Sequence, residues 1–60
     1  MKTFRITNGA IIGAFPCERD AAAAYFGTQA VVSFGPHTWM SVMTGQIINL
    51  EEVEHENLGM

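Results

Sequence analysis

The sequence lacks the covalent and metal supports that often stabilise very short chains. Its single cysteine, Cys17, has no partner for an intrachain disulfide. The two histidines, His37 and His55, stand in no spacing typical of zinc ligands. Because a chain of this length buries only about 60 % of its unfolded surface, its fold must depend on its apolar residues, which make up 48 % of the sequence. We therefore expect no metal and no cofactor, and either a tight core or an apolar face covered by a partner.

Basic residues are scarce, and the acidic ones are unevenly distributed. The formal net charge is −3, but residues 1–50 are close to neutral. Four glutamates fall within the last ten residues, namely Glu51, Glu52, Glu54 and Glu56. Direct nucleic-acid binding is not expected, because contacts with phosphates need clustered lysine and arginine. An acidic segment suits a larger, basic protein partner instead.

The chain also lacks an uninterrupted apolar run. Residues 21–50 carry no charged side chain, but Gly27, Gly35 and Pro36 break the stretch, together with many polar residues. The first residues lead directly into alternating polar and apolar positions and not into the apolar segment of a signal peptide. These features predict a protein of the cytoplasm that does not bind membranes, and the lone thiol is consistent with that compartment.

Recognisable catalytic motifs are missing as well. The glycines form no phosphate-binding loop, and no Ser–His–Asp set stands out. Cys17 precedes a predicted helix, but a nucleophilic cysteine needs a base and both histidines are distant in sequence, so we interpret Cys17 as a small capping residue. His37, in a Gly-Pro-His turn, is interpreted as a polar turn residue, with a binding-loop role as the alternative. We expect no enzymatic activity.

The first half of the chain has the pattern of a β-hairpin followed by a helix. Residues 3–7 alternate between polar and apolar, and residues 10–15 return as a second strand after Asn8-Gly9, a sequence typical of type I′ turns. A two-residue loop predicts that one face forms the core, with Phe4, Ile6, Ile11 and Phe15. Pro16, the following alanines and Gly27 predict a helix over residues 17–26 that packs on the sheet.

Residues 30–50 have the composition of three further strands, at 30–34, 38–43 and 46–50, with a turn at Thr44-Gly45. In the register of a two-residue loop, Val42 faces Ile47. One side then carries Met40, Val42 and Ile47, and the other carries Trp39, Ile48 and Leu50. A single ten-residue helix cannot cover both sides. For residues 50–58 a short helix, a strand extension and a frayed tail remain open alternatives.

The sequence therefore predicts one small α+β domain spanning residues 1–60. Its antiparallel sheet would have four or five strands, beginning with the N-terminal hairpin. One main helix would pack on one face of the sheet. Residues 51–60 would form an acidic C-terminal segment.

Size, acidity, the hairpin–helix–sheet layout and the missing catalytic motif together resemble small phage-encoded inhibitors of the anti-CRISPR type. This resemblance covers the whole chain and transfers no site residues. It implies a protein of the bacterial host cytoplasm that blocks a defence complex sterically, with an acidic surface occupying a nucleic-acid groove.

From the residues themselves we expect a non-enzymatic inhibitor or adaptor. Its partner-binding residues would be the four glutamates Glu51, Glu52, Glu54 and Glu56 together with an apolar patch at Trp39 and Met40. The alternative is a structural or assembly subunit that forms a homodimer through the face carrying Trp39, Ile48 and Leu50.

Overall fold

A computed structural model describes residues 1–53, which form an antiparallel five-stranded sheet with a helix on one side. The elements are β1 (Lys2–Ile6), β2 (Ile11–Phe15), α1 (Glu18–Phe26), β3 (Val31–Gly35), β4 (Thr38–Ser41) and β5 (Ile47–Val53). This architecture confirms the predicted α+β class. The strand order is β2-β1-β5-β4-β3, so β5 inserts between β1 and β4 and joins the β1–β2 pair and the β3–β4 pair into one sheet.

The helix α1 covers one face of the sheet. Acidic Glu18 and Asp20 lie in its first turn, where they complement the helix dipole. Gly27 ends the helix in the left-handed conformation, with φ 72° and its N–H donated to the carbonyl of Ala23. The predicted bounds are confirmed to within one residue. Small side chains let α1 approach the sheet closely, and the buried core consists of Phe4, Ala21, Ala22, Ala23, Val31, Ile48 and Leu50.

The first hairpin differs from its predicted register beyond Phe4. Phe4 pairs with Gly13 as expected, but the register then shifts, and Arg5 pairs with Ile11. Ile11 is consequently 61 % exposed, while Ile12 packs against the core. The prediction that Ile11 faces the core and Ile12 faces solvent is therefore wrong, because one extra residue in a strand moves the following side chains to the opposite face.

The turn of this hairpin explains the irregularity. The Gly9 N–H donates to the Ile6 carbonyl at 2.7 Å, so the turn is centred on Thr7 and Asn8 and not on Asn8-Gly9. Asn8 adopts a positive φ of 63°, which asparagine tolerates better than most residues. The predicted two-residue type I′ loop is wrong for this reason.

The second hairpin keeps the predicted faces but not the predicted pairs. Trp39 pairs with Ile48, and Met40 pairs with Ile47, a shift of two residues from the predicted register. The loop between β4 and β5 is longer than predicted and is closed by hydrogen bonds from the Gly45 N–H to the Ser41 carbonyl and from the Ser41 N–H to the Gln46 carbonyl. A shift of two residues leaves every side chain on its original side.

The C-terminal end of the described chain is a strand. β5 continues to Val53 and pairs with β1 from Ile6–Leu50 to Thr3–Val53. The strand-extension alternative therefore holds as far as Val53, and the short-helix and frayed-tail alternatives are wrong for residues 50–53. The remainder of the acidic segment, including Glu54, His55 and Glu56, lies outside the described residues.

Candidate interaction surface

The side of the sheet opposite α1, called the open face below, carries a row of apolar side chains. Val32, Met40 and Ile47 are direct cross-strand partners in β3, β4 and β5. Val32 is 40 % exposed and Ile47 46 % exposed, and Met40 between them is half-buried. Phe34, two residues beyond Val32, is 59 % exposed. Cross-strand apolar contacts of this kind normally lie under a second layer.

The rest of the described open face is nearly uncharged, with polar residues at its centre and the exposed Ile11, the cross-strand partner of Arg5, at its far end. Thr38 pairs with Asn49 beside the apolar row, and the Thr38 hydroxyl donates to the Asn49 side-chain oxygen at 2.8 Å. Farther along, Arg5 pairs with Glu51 across β1 and β5, and their side chains form an ion pair. The described face therefore presents an apolar end, a neutral polar centre, and one compensated ion pair with Ile11 beside it.

The two residues predicted to form one apolar patch, Trp39 and Met40, point to opposite sides of the sheet. They are successive residues of β4, and successive side chains of a strand alternate between faces. Met40 belongs to the open face, whereas Trp39 packs against the core under α1. A surface lying flat on one side of the sheet can therefore include Met40 but not Trp39.

The face expected to close a homodimer is already covered within one chain. Ile48 is 6 % exposed and Leu50 is 2 % exposed, and Trp39 packs beside them. The expectation that these three residues are left uncovered is wrong, because α1 lies over them. The apolar side chains of residues 30–50 that α1 leaves uncovered are instead those of the row on the open face.

The two described glutamates of the predicted acidic site each have a basic neighbour. Glu51 is paired with Arg5, and a Glu52 carboxylate oxygen lies 3.9 Å from the Lys2 amine. These four side chains are partly exposed, so the ion pairs contribute little to the stability of the fold. They do neutralise the local charge. Of the predicted acidic site, Glu54 and Glu56 lie outside the described residues.

A side-chain cluster that the sequence did not reveal joins the start of α1 to the second hairpin. The Trp39 indole N–H donates to Oε1 of Glu18 at 3.0 Å. His37 Nδ1 lies 2.5 Å from the other oxygen, Oε2. These residues are separated by about twenty positions in the chain, and no motif indicates their approach. Both oxygens of the Glu18 carboxylate are thereby bonded.

The environment of Glu18 lowers the pKa of its carboxyl group below the ordinary value of 4.5. Partial burial acts in the opposite direction and is the largest single influence. It is outweighed by the hydrogen bonds to Trp39 and His37 and by the nearby charges of His37 and Lys2. Each of these favours the ionised form. Glu18 is therefore held as a carboxylate that connects helix and sheet.

In chemical terms this cluster presents an oriented imidazole. The His37 ring is mostly exposed, and a carboxylate on Nδ1 resembles the pair that orients a general base. Within residues 1–53, however, no hydrogen bond joins Cys17 to the cluster, and no group of three or more His, Cys, Asp or Glu side chains could hold a metal ion. The interpretation of Cys17 as a structural residue stays a prediction.

Comparisons with known proteins found no matching family model, no matching curated protein and no matching solved structure. In residues 1–53, the helix is too short to cross a lipid bilayer.

Proposed function

We propose that the protein is a non-catalytic protein-binding domain and that the open face is its binding surface. The observation that carries this proposal is the exposed row of Val32, Met40 and Ile47, which is extended by Phe34. A contiguous apolar patch on a small protein marks an interaction site more often than a scattered exposed residue does. Its neutral polar border, with one ion pair beyond it, matches the apolar centre and polar rim of protein interfaces.

The charge of the open face favours protein over the other partner classes. Its one described cation, Arg5, is compensated by Glu51, whereas nucleic-acid phosphates and anionic lipids both require uncompensated lysine and arginine. An apolar, neutral surface is recognised by burial of area and by shape. Acting in this way, the protein would be an inhibitor or adaptor that works by covering a surface of its partner.

A pair of variants tests the proposal. Ile47→Glu places a charge in the apolar row, and Tyr25→Glu places the same charge at a similarly exposed position on the helix. Tagged wild-type protein and both variants are used to capture partners from a bacterial lysate, with folding checked by circular dichroism. We expect wild type and Tyr25→Glu to retain the same partner and Ile47→Glu to lose it. Equal retention by a folded Ile47→Glu variant would exclude the open face as the binding surface.

A second candidate function uses the acidic segment. Four glutamates between residues 51 and 56 support docking into a basic nucleic-acid groove, as the resemblance to anti-CRISPR inhibitors implies. Because Glu51 and Glu52 are compensated by Arg5 and Lys2, this function rests mainly on Glu54 and Glu56. Changing these two residues to glutamine should weaken binding of a basic partner and flatten its dependence on salt. Unchanged affinity and salt dependence would exclude it.

A further inference from the structure

The open face is complementary to itself in charge. Within residues 1–53 it contributes one positive and one negative side chain, Arg5 and Glu51, and these are already paired. Its apolar row and the neighbouring Thr38–Asn49 pair carry no charge. A charged partner gains no electrostatic attraction from such a surface. A second copy of the same surface can pack against it without electrostatic repulsion.

The core of one chain is small for the apolar content of the sequence. Among the described residues, three of the seven buried apolar ones are alanines, and the larger ones are Phe4, Val31, Ile48 and Leu50. Large apolar side chains left exposed in residues 1–53 outnumber these four. Short chains that bury too little apolar area on their own are commonly stabilised by forming oligomers, because apolar area buried between subunits stabilises both copies.

The size of the open face is sufficient for a weak specific interface. Five strands about 4.8 Å apart, each contributing about five residues at about 3.4 Å, give a flat area on the order of 400 Å² per copy, before the relief of the side chains is included. Specific complexes of low stability bury less than about 1,200 Å² in total. A dimer through this face would therefore form at concentrations on the order of 100 µM, and not at nanomolar ones.

We infer that the occupant of the open face is a second copy of this chain, packed face to face about a two-fold axis. This inference rests on the proposed function, since it names the partner of the same surface. The two sheets would lie about 10 Å apart with the helices outside. The two apolar rows would meet near the axis, and the Arg5–Glu51 pairs would lie toward the rim. Such an interface is isologous and closes at two copies.

Sedimentation equilibrium over about 10 µM to about 1 mM tests the stoichiometry. We expect the mass of the wild-type protein to rise from that of one chain to that of two. Ile47→Glu should raise the dimer dissociation constant at least tenfold, and Tyr25→Glu should leave it unchanged. A wild-type protein that stays monomeric throughout, or a folded Ile47→Glu variant that still dimerises, overturns the inference.

Dilution of ¹⁵N-labelled wild-type protein locates the interface without any mutation, which keeps the inference testable if a variant does not fold. Backbone signals of Val32, Met40 and Ile47 should shift with concentration while those of α1 stay constant. Shifts confined to β2 or to α1 would overturn it. If the wild-type protein is monomeric but captures a partner from lysate that the Ile47→Glu variant does not capture, the dimer is refuted and the proposed function is supported. A monomer with no Ile47-dependent partner refutes both.

Discussion

Trp39 and Glu18 hold the sheet and the helix together through a hydrogen bond of 3.0 Å from the indole N–H to Oε1. The bond connects the middle of β4 to the first turn of α1, and His37 occupies the other oxygen of the same carboxylate. The backbone of His37 is fixed as well, because its carbonyl accepts a hydrogen bond from the Leu50 N–H at 2.8 Å. One carboxylate therefore positions the helix against two residues of the second hairpin.

Replacing this carboxylate should destabilise the protein. Glu18→Gln keeps the size of the side chain but removes its charge and one acceptor oxygen, so we expect a loss of about 1 to 2 kcal/mol in the free energy of unfolding. Urea titration followed by the fluorescence of Trp39, the only tryptophan, measures the change. Asp20→Asn is the matched control, because it removes a charge from the same helical turn without a described side-chain partner. An equal effect of the two variants would mean that the Trp39 and His37 contacts contribute nothing.

Glu18 should also make stability depend on pH in the acid range. Because its pKa is lower in the folded chain than the ordinary 4.5, its contribution is fully present above that value. The contribution disappears as the pH falls through the lowered folded pKa. The difference in unfolding free energy between wild type and Glu18→Gln should therefore shrink as the pH falls below about 4.5. A difference that stays constant down to pH 2 contradicts this assignment.

Local patterns determined most of what could be predicted of the fold. The helix was predictable because Pro16, the alanine run and Gly27 act within one segment. The faces of β4 and β5 were predictable because alternation depends only on whether a position is odd or even. The pairs themselves were not, since Val42 and Met43 follow the strand pattern yet belong to the loop after Ser41.

Long-range placement limited what could be predicted of the site. Sequence alternation separates Trp39 and Ile48 from Met40 and Ile47, but nothing local states which group α1 will cover. That choice follows from β5 inserting between β1 and β4. The contact between Glu18 and His37 has the same origin. The extra residue near Ile11 was hidden because a hairpin centred on Thr7-Asn8 and one centred on Asn8-Gly9 have nearly the same sequence signal.

The end of α1 should be sensitive to the backbone conformation of residue 27. Gly27 has φ 72° and open space where a Cβ would lie, so Gly27→Ala introduces backbone strain without a steric clash. We expect a loss of about 1 kcal/mol, which in a domain of this size lowers the melting temperature by about 4 to 8 °C. Gly27→Asn should lose less, because asparagine tolerates the left-handed region. Equal losses in thermal unfolding would argue against the conformational explanation.

The close contact between α1 and the sheet should tolerate no larger side chain at its centre. Ala22 is fully buried and Ala24, half a turn away, is exposed. Ala22→Leu must displace the helix, at a cost of about 1 to 3 kcal/mol, whereas Ala24→Leu should change stability by less than about 0.5 kcal/mol. Chemical denaturation of both variants makes the comparison. A neutral Ala22→Leu variant would mean that the helix lies farther from the sheet than the structure places it.

Two adjacent isoleucines of β5 provide the most direct test of which face is covered. Ile48 packs beneath α1, and Ile47 faces away from it. Ile48→Ala leaves a cavity in the core and should cost about 2 to 4 kcal/mol. Ile47→Ala makes the same chemical change in the same strand and should cost less than about 1 kcal/mol in dilute solution, where the open face is unoccupied. Urea titrations at low protein concentration compare the two.

At high concentration the cost of Ile47→Ala should rise, because dimerisation through the open face then stabilises the wild type but not the variant. Equal costs for the two isoleucines in dilute solution would mean that α1 does not distinguish the faces, and the open face would lose its basis.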